Sequence, residues 1–383
     1  MQTAPKALND RGTVVGGLRP SVDALPAFVC VAVHEKQELP SPSGTAWALP
    51  LGINTPGQIV GYASEATMQT RHAYLWEPAP SNLPAKSPFE WTAHALKDEG
   101  ATSSEATAIN TSGDIVGIRW RSDGVPHACM WHQGACLDLE STRSWHPTGI
   151  NSKGEVVGWG MDASNHVHLY HFAPIGPLNS LTVGQKTVGR KSVAHTKEPA
   201  QTGVSGALTD LGNGYQIAIN DNGEMAGDYL GRDGHYHACF WRPNAKSTRQ
   251  GYIREDLPDL PGSMESHAIA LNSRGQIVGR VSLSLIDRAK DKTKDKTKDQ
   301  YRNKGHNDQK NSENRPGEPI PVLWEKGQAV DLRTRLNARL EGVLEEAIGI
   351  NGSGQILCTG RQGIWGRAVV LTPIEGKYRI QIF

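Results

Sequence analysis

The sequence predicts an all-β protein: a seven-bladed β-propeller of seven four-stranded repeats, each about 45 residues long, with two long inserted loops. Three observations predict it. A short Asn-x-x-Gly pattern recurs seven times along the chain. A second strand signal follows each copy at a near-constant distance. Setting aside two polar runs leaves about 46 residues per unit, the length of a four-stranded blade.

The turn comes first. Its copies start at Asn9, Asn54, Asn110, Asn151, Asn220, Asn272 and Asn351, with glycine three residues on at Gly12, Gly57, Gly113, Gly154, Gly223, Gly275 and Gly354. An Asn side chain accepts a hydrogen bond from the backbone two residues ahead, which starts a tight turn. Glycine supplies the positive φ that closes a type I turn with a bulge. The flanks, such as Ala108-Ile109 and Ile115-Val116, have strand character, so each copy reads as a β-hairpin. A second glycine follows seven residues after the Asn in six copies, at Gly16, Gly61, Gly117, Gly158, Gly227 and Gly279; Cys358 takes the place in the seventh.

The third strand comes next. His72-Ala73-Tyr74-Leu75-Trp76, His127 to Trp131 and His237 to Trp241 end 22, 21 and 21 residues after their Asn. The same offset reaches Cys30, Phe172 and, at 20, Leu371. Trp324 lies 52 residues after Asn272, and removing the run 287–317 restores the common spacing, so that run is an insertion between two strands. The fourth strand is marked by Asp138-Leu139, Asp210-Leu211, Asp256-Leu257 and Asp331-Leu332. The terminal KYRIQIF reads as the last strand of the seventh unit.

The run A-x-A-I-N-x-x-G-x-I-V-G, then H-A-x-x-W, then D-L, resembles the HAF repeat, a bacterial family called "probable extracellular repeat". Glu105–Trp131 and Gln216–Trp241 carry it best. The resemblance spans nearly the whole chain outside the insertions and implies an extracellular repeat protein. It implies little about activity.

Composition agrees with the architecture. The chain holds 42 glycines and 23 prolines, too many for a helical bundle. No apolar stretch approaches the ~18 residues of a spanning helix, so no membrane insertion is expected. A formal net charge of +1 supplies no field for nucleic acid. Cys30, Cys129, Cys136, Cys239 and Cys358 are odd in number and scattered, which fits reduced thiols in a cytoplasm. The N-terminal segment lacks the basic-then-apolar pattern of a leader.

The insertion 287–317, with its KDKTKDKTKDQ, reads as a disordered charged loop, with a contact arm for an acidic partner as the alternative. The insertion 174–206 carries Lys186, Arg190, Lys191 and Lys197 and reads as a surface loop. His72, His127, His168 and His237 share one repeated slot and are expected to bond within their own units. His166 and His235 stand two residues before two of them, a spacing that puts both rings on one strand face. Neither doublet has a third ligand at a recognisable spacing, so no metal is expected. The run Asn220 to Glu224 resembles part of a calcium loop, yet Thr55-Pro56 and Ser152-Lys153 fill the same turn elsewhere.

Trp76, Trp131, Trp241 and Trp324 fit a core slot. Trp120, Trp145, Trp159 and Trp365 fall outside it and are, with His166 and His235, the binding candidates on an exposed face. No phosphate loop, zincin helix or nucleophile elbow is present, and no cofactor is expected. The sequence therefore favours a monomeric, non-enzymatic binding or scaffold propeller for a protein or glycan partner. The alternative is a hydrolase or lyase acting on a glycan or small ester in the channel. Residues that break the repeat and converge on the channel decide between the two. Two carboxylates or a His cluster within hydrogen-bond reach of one another would favour the enzyme, and a flat mouth lined by Ser, Thr and Val would exclude it.

Overall fold

A computed structural model describes residues 2–19, 27–31, 35–42, 44–64, 70–78, 91–98, 100–139, 143–176, 178, 203–244, 251–283, 319–362 and 365–383. The insertion 287–317 lies outside these residues, as do 177 and 179–202 of the insertion 174–206. The described residues form a β-propeller with no α-helix; a 3-10 turn spans Leu332–Arg335.

The strands group into seven sheets, each running outward in chain order through four antiparallel strands. The first strands are Gln2–Leu8, Trp47–Ile53, Ser103–Ile109, His146–Ile150, Ile217–Ile219, Ser263–Leu271 and Val343–Ile350. Each touches the first strands of both neighbouring sheets, the seventh touching the first, so together they surround a central channel. Hydrophobic clusters sit between neighbouring sheets all the way round. One example packs Val116, Met130 and Leu137 of the third sheet against Val156, Tyr170 and Phe172 of the fourth. Another packs Val14 of the first against Leu357 and Val370 of the seventh.

The spacing of the third strand is reproduced residue for residue. The slot residue always pairs with the residue five after the Asn: Val14 with Cys30, Ile59 with Trp76, Ile115 with Trp131, and Val156 with Phe172. Met225 with Trp241, Ile277 with Trp324, and Ile356 with Leu371 complete the set. Trp76, Trp131 and Trp324 are buried, and their indole N–H groups donate to the carbonyls of Pro40, Lys97 and Pro258.

The second insertion is shorter than its sequence boundaries. The third strand of the fourth sheet runs through Pro174, and Gly206–Asn213 is its fourth strand. Between them Gly203–Val204 joins the outer edge of the third sheet in parallel. Val204 and Leu178 are buried in the cluster between the third and fourth sheets. Apolar anchoring at both ends explains why the strands extend into a stretch whose composition reads as loop.

Each repeated glycine has its own cause. The seven at the turns all have φ between 74° and 101°. The six that follow have no room for a side chain: a Cβ on Gly117 would overlap the carbonyl oxygen of Glu105. The first strand bulges three residues before the Asn in six of the sheets, at Thr107 for example, and presses its carbonyl toward that glycine. Where Cys358 replaces the glycine, the strand carries a second bulge between Leu344 and Glu346.

The asparagines do more than start turns. Oδ1 accepts backbone N–H groups of its own turn, as from Asp114 at 2.9 Å. Nδ2 donates to the backbone carbonyl of the Asn in the next sheet. Asn9 reaches Asn54 (3.0 Å), Asn54 reaches Asn110 (3.0 Å), and Asn110 reaches Asn151 (3.1 Å). Asn151 reaches Asn220 (3.2 Å), Asn220 reaches Asn272 (3.1 Å), and Asn272 reaches Asn351 (3.0 Å). Asn351 then reaches Asn9 (3.1 Å) and closes the ring across the two ends of the chain. A second tie supports this closure. Thr3 Oγ1 accepts the backbone N–H of Ala368 and donates to the carbonyl of Phe383. The last strand, Lys377–Ile382, pairs within its own sheet, and its Tyr378 makes one isolated parallel bridge to Leu336, beyond the sixth sheet.

Candidate functional site

The Asn ring marks one end of the channel, where a cavity of about 220 Å³ opens. Its asparagines and aspartates are engaged. Asp10 accepts the N–H of Gly352 at 2.7 Å, and Asp221 accepts that of Ser152 at 2.7 Å.

The other end is different. The residue before each Asn is always Leu or Ile, and the one before that is always Ala or Gly. Crowding about the axis requires this: a Cβ on Gly52 would lie 3.3 Å from Ala108 Cα. Five residues before the Asn, about 16 Å along the strand, the repetition stops. The residues there are Ala4, Leu49, Glu105, His146, Tyr215, His267 and Glu346.

Each polar or aromatic member of this set has a partner. Glu105 is ion-paired with Arg71 of the second sheet. Burial holds its carboxyl above the ordinary value, offset in part by that guanidinium. Arg71 also covers the rings of Tyr62 and Trp120. His146 stacks on Trp159 at 4.2 Å with the rings nearly parallel, and burial lowers its pKa. Glu346 faces Arg280 of the sixth sheet at 3.3 Å. Tyr215 packs against Tyr236 at 4.8 Å. Burial, with Tyr215 adding to it, pushes the Tyr236 phenol up to about 12.

The tightest pair is Asp228 with His267. Asp228 is fully buried on the second strand of the fifth sheet. Its Oδ1 accepts the N–H groups of Tyr215 (2.6 Å) and Gln216 (3.2 Å). Its Oδ2 lies 2.5 Å from His267 Nδ1, on the first strand of the sixth sheet. A carboxylate only accepts, so Nδ1 carries the proton and Nε2 is the free ring nitrogen. Among the described residues nothing hydrogen-bonds to Nε2. Tyr236 stacks on the imidazole at 5.8 Å. On the adjoining turn, His235 faces Glu265 at 3.6 Å.

The residues expected to bind divide three ways. Trp120 and Trp159 are half-buried and belong to this end of the channel, beside Arg71 and His146. His235 also belongs to it, half-buried beside Glu265, while His166 stands on the equivalent turn of the fourth sheet, exposed beside Asp162. Trp145 is not on an exposed face: it is fully buried and stacks on Phe172 at 6.3 Å. The fourth sheet has Phe172 where four others have tryptophan, and Trp145 packs beside this smaller ring. The backbone of Trp365 begins the strand Trp365–Ile374, and its side chain lies outside the described residues. Two of the four repeated histidines bond within their units, His168 to Asp210 and His237 to Asp233, each at 2.9 Å, while His72 and His127 face Asp98 and Asp123 at 3.6 and 3.5 Å. No cluster of three metal-binding side chains occurs among the described residues. Sequence reasoning missed Asp228, Tyr215, Tyr236 and His267. Laying the seven repeats over one another and asking where they disagree would have found two of them.

No family model and no curated protein matches the chain. Solved structures do. Two crystal structures of puromycin hydrolase give TM-scores of 0.56 and 0.54 at 12% and 11% identity, over 99% of this chain and 53% of that one. The β-propeller domain of the Trilobed protease from Pyrococcus furiosus gives 0.49 at 7% identity, over 96% of this chain and 93% of that one. The chain thus spans about half the length of puromycin hydrolase, and at such identity the likeness is one of fold.

Proposed function

We propose that the protein is a seven-bladed, non-enzymatic binding propeller of the HAF-repeat kind, and that its partner, a protein or glycan, is held at the variable end of the channel. One observation carries this reading. Where the fold needs a residue, the repeats agree, as in the Asn ring. Five residues earlier on the same strands they present two carboxylates, two imidazoles and a phenol in place of one repeated side chain. Diversity in a repeated frame supports recognition of one asymmetric partner. The test compares two variants. One combines Glu105→Gln, Tyr215→Ala and Glu346→Gln; the other combines Asp10→Asn and Asp221→Asn at the Asn end. A partner captured by the wild type should be lost by the first and kept by the second. The reverse pattern overturns the reading.

One observation favours a hydrolase or lyase acting on a glycan or small ester. A buried carboxylate fixing an imidazole is how a general base is oriented. No nucleophile bonds to His267 Nε2 among the described residues, so the pair alone supports base catalysis on a bound water or substrate C–H. Turnover of nitrophenyl esters or glycosides that His267→Asn abolishes would favour this second reading over the first.

A further inference from the structure

We propose that the junction of the fifth and sixth sheets is a saccharide subsite, in which Tyr215 and Tyr236 form the platform and His267 Nε2 is the hydrogen-bonding group. The proposal rests on the channel-end reading above and names the ligand class for it.

The Asp228–His267 pair is not part of the repeated scaffold. Its two positions are occupied in the other junctions by Gly17 with Leu49, Tyr62 with Glu105, Ile118 with His146, Trp159 with Tyr215, Arg280 with Glu346 and Thr359 with Ala4. Packing is therefore met at this place by small, apolar, aromatic and half-buried ionic side chains, and in no other junction by a carboxylate on an imidazole. A fully buried carboxylate is costly to desolvate, and here three donors are arranged around it. The arrangement fixes one tautomer and one ring orientation. It leaves Nε2 as an acceptor while the ring is neutral.

What lies beside Nε2 sets the ligand chemistry. Tyr215 is half exposed, and Tyr236 lies tilted against it and stacks on the imidazole. Two adjacent aromatic faces offer apolar area at low conformational cost. Glu265, already facing His235, adds a second acceptor. Flat aromatic faces rimmed by acceptors suit a ring with an apolar C–H face and hydroxyl donors around it. A neutral pyranose has that form. The set contains the carboxylates of Glu265 and Asp228 and no lysine or arginine, which argues against a phosphate or carboxylate as the group recognised.

Methyl glycosides of the neutral hexoses and 6-deoxyhexoses, and their disaccharides, are the probes. Saturation-transfer NMR screens them against the full chain, and calorimetry measures those that bind. For at least one sugar the His267 imidazole ¹⁵N resonance should move on binding. Tyr215→Ala should weaken that sugar about tenfold or more. This variant keeps the Tyr215 backbone N–H on Asp228, so the pair stays assembled. Tyr236→Phe, which keeps the ring, should retain most of the affinity. A sugar that binds Tyr215→Ala unchanged and leaves His267 unmoved overturns the subsite. If Glu105→Gln with Glu346→Gln abolishes that binding, the wider channel-end reading survives. Failure of every probe at about 20 mM overturns the saccharide class; the partner-capture comparison then stands as the separate test of the wider reading.

Discussion

Asn110→Ala removes three hydrogen bonds at once. Oδ1 accepts Asp114 N–H at 2.9 Å, and Nδ2 donates to Asp114 Oδ2 at 2.9 Å and to Asn151 O at 3.1 Å. Asn110 is 4% exposed, so water does not replace them. A net 0.5–1.5 kcal/mol per bond gives about 1.5–4.5 kcal/mol. Two features set where in that range the loss falls. Asn151 O keeps the N–H of Gly154 and Asp114 keeps His132, so neither acceptor is orphaned. The buried Asp114 N–H does lose its partner, which adds toward the upper half, about 3 kcal/mol. Denaturant unfolding followed by tryptophan fluorescence measures the loss, provided the slope with denaturant is unchanged. Asn110→Asp sharpens the test. It keeps Oδ1 but turns two attractive contacts into oxygen facing oxygen, one partner being a carboxylate. Its pKa should be raised by burial and by Asp114. A raised acid is charged, and most damaging, at high pH. The Asp variant should therefore be weaker than the Ala variant at pH 7.5 and recover part of the difference as pH falls toward 5. An Asn110→Ala loss below about 1 kcal/mol would refute the view that these asparagines bind the sheets together.

Gly117→Ala should cost more than about 3 kcal/mol, since its Cβ meets backbone that cannot turn aside, whereas Gly134→Ala, at φ 79° with nothing nearby, should cost about 1 kcal/mol in the same unfolding assay. Thr3→Val keeps the shape but strips both bonds at the chain closure, leaving the buried N–H of Ala368 unpaired; about 1–3 kcal/mol should be lost, with faster amide exchange in Gln2–Leu8 and Trp365–Ile374. Burial lowers the pKa of His146 and His171, so the unfolded chain binds more protons below its own value near 6.5. Their contribution is complete above pH 6.5 and is lost as pH falls through the folded values. His146→Phe, which retains the stack on Trp159, should flatten the pH dependence of stability between pH 7.5 and 5.5, and an unchanged slope would contradict it.

What the sequence made legible is what it says seven times. A single Asn-x-x-Gly is a common turn, but seven copies define strand ends well enough to place Trp324 across the insertion 287–317. The local half of each Asn was readable too, because Oδ1 bonds two and four residues away. The other half was not, since the carbonyl that Nδ2 meets lies 41 to 79 residues onward, or 342 residues back at the closure. Trp145 shows the opposite error. Standing outside the repeated slot suggested exposure, but a break in the pattern can also be a packing repair beside Phe172.

The same comparison separates two pairs that look alike in isolation. His132 with Asp114, at 2.6 Å, is also a buried imidazole on a carboxylate, and it borders a cavity. Its two positions carry Gln58 with Glu77, Gln276 with Glu325 and Gln355 with Thr372 in other sheets, and every one of those pairs is hydrogen-bonded. His132 with Asp114 is thus one spelling of a tie that each of these sheets makes between its second and third strands. Asp228 with His267 joins two sheets, and no other junction repeats its chemistry. If only the repeated tie is structural, Asp114→Asn should lower stability and leave saccharide binding intact. Asp228→Asn should lose the binding even where denaturant shows the fold retained.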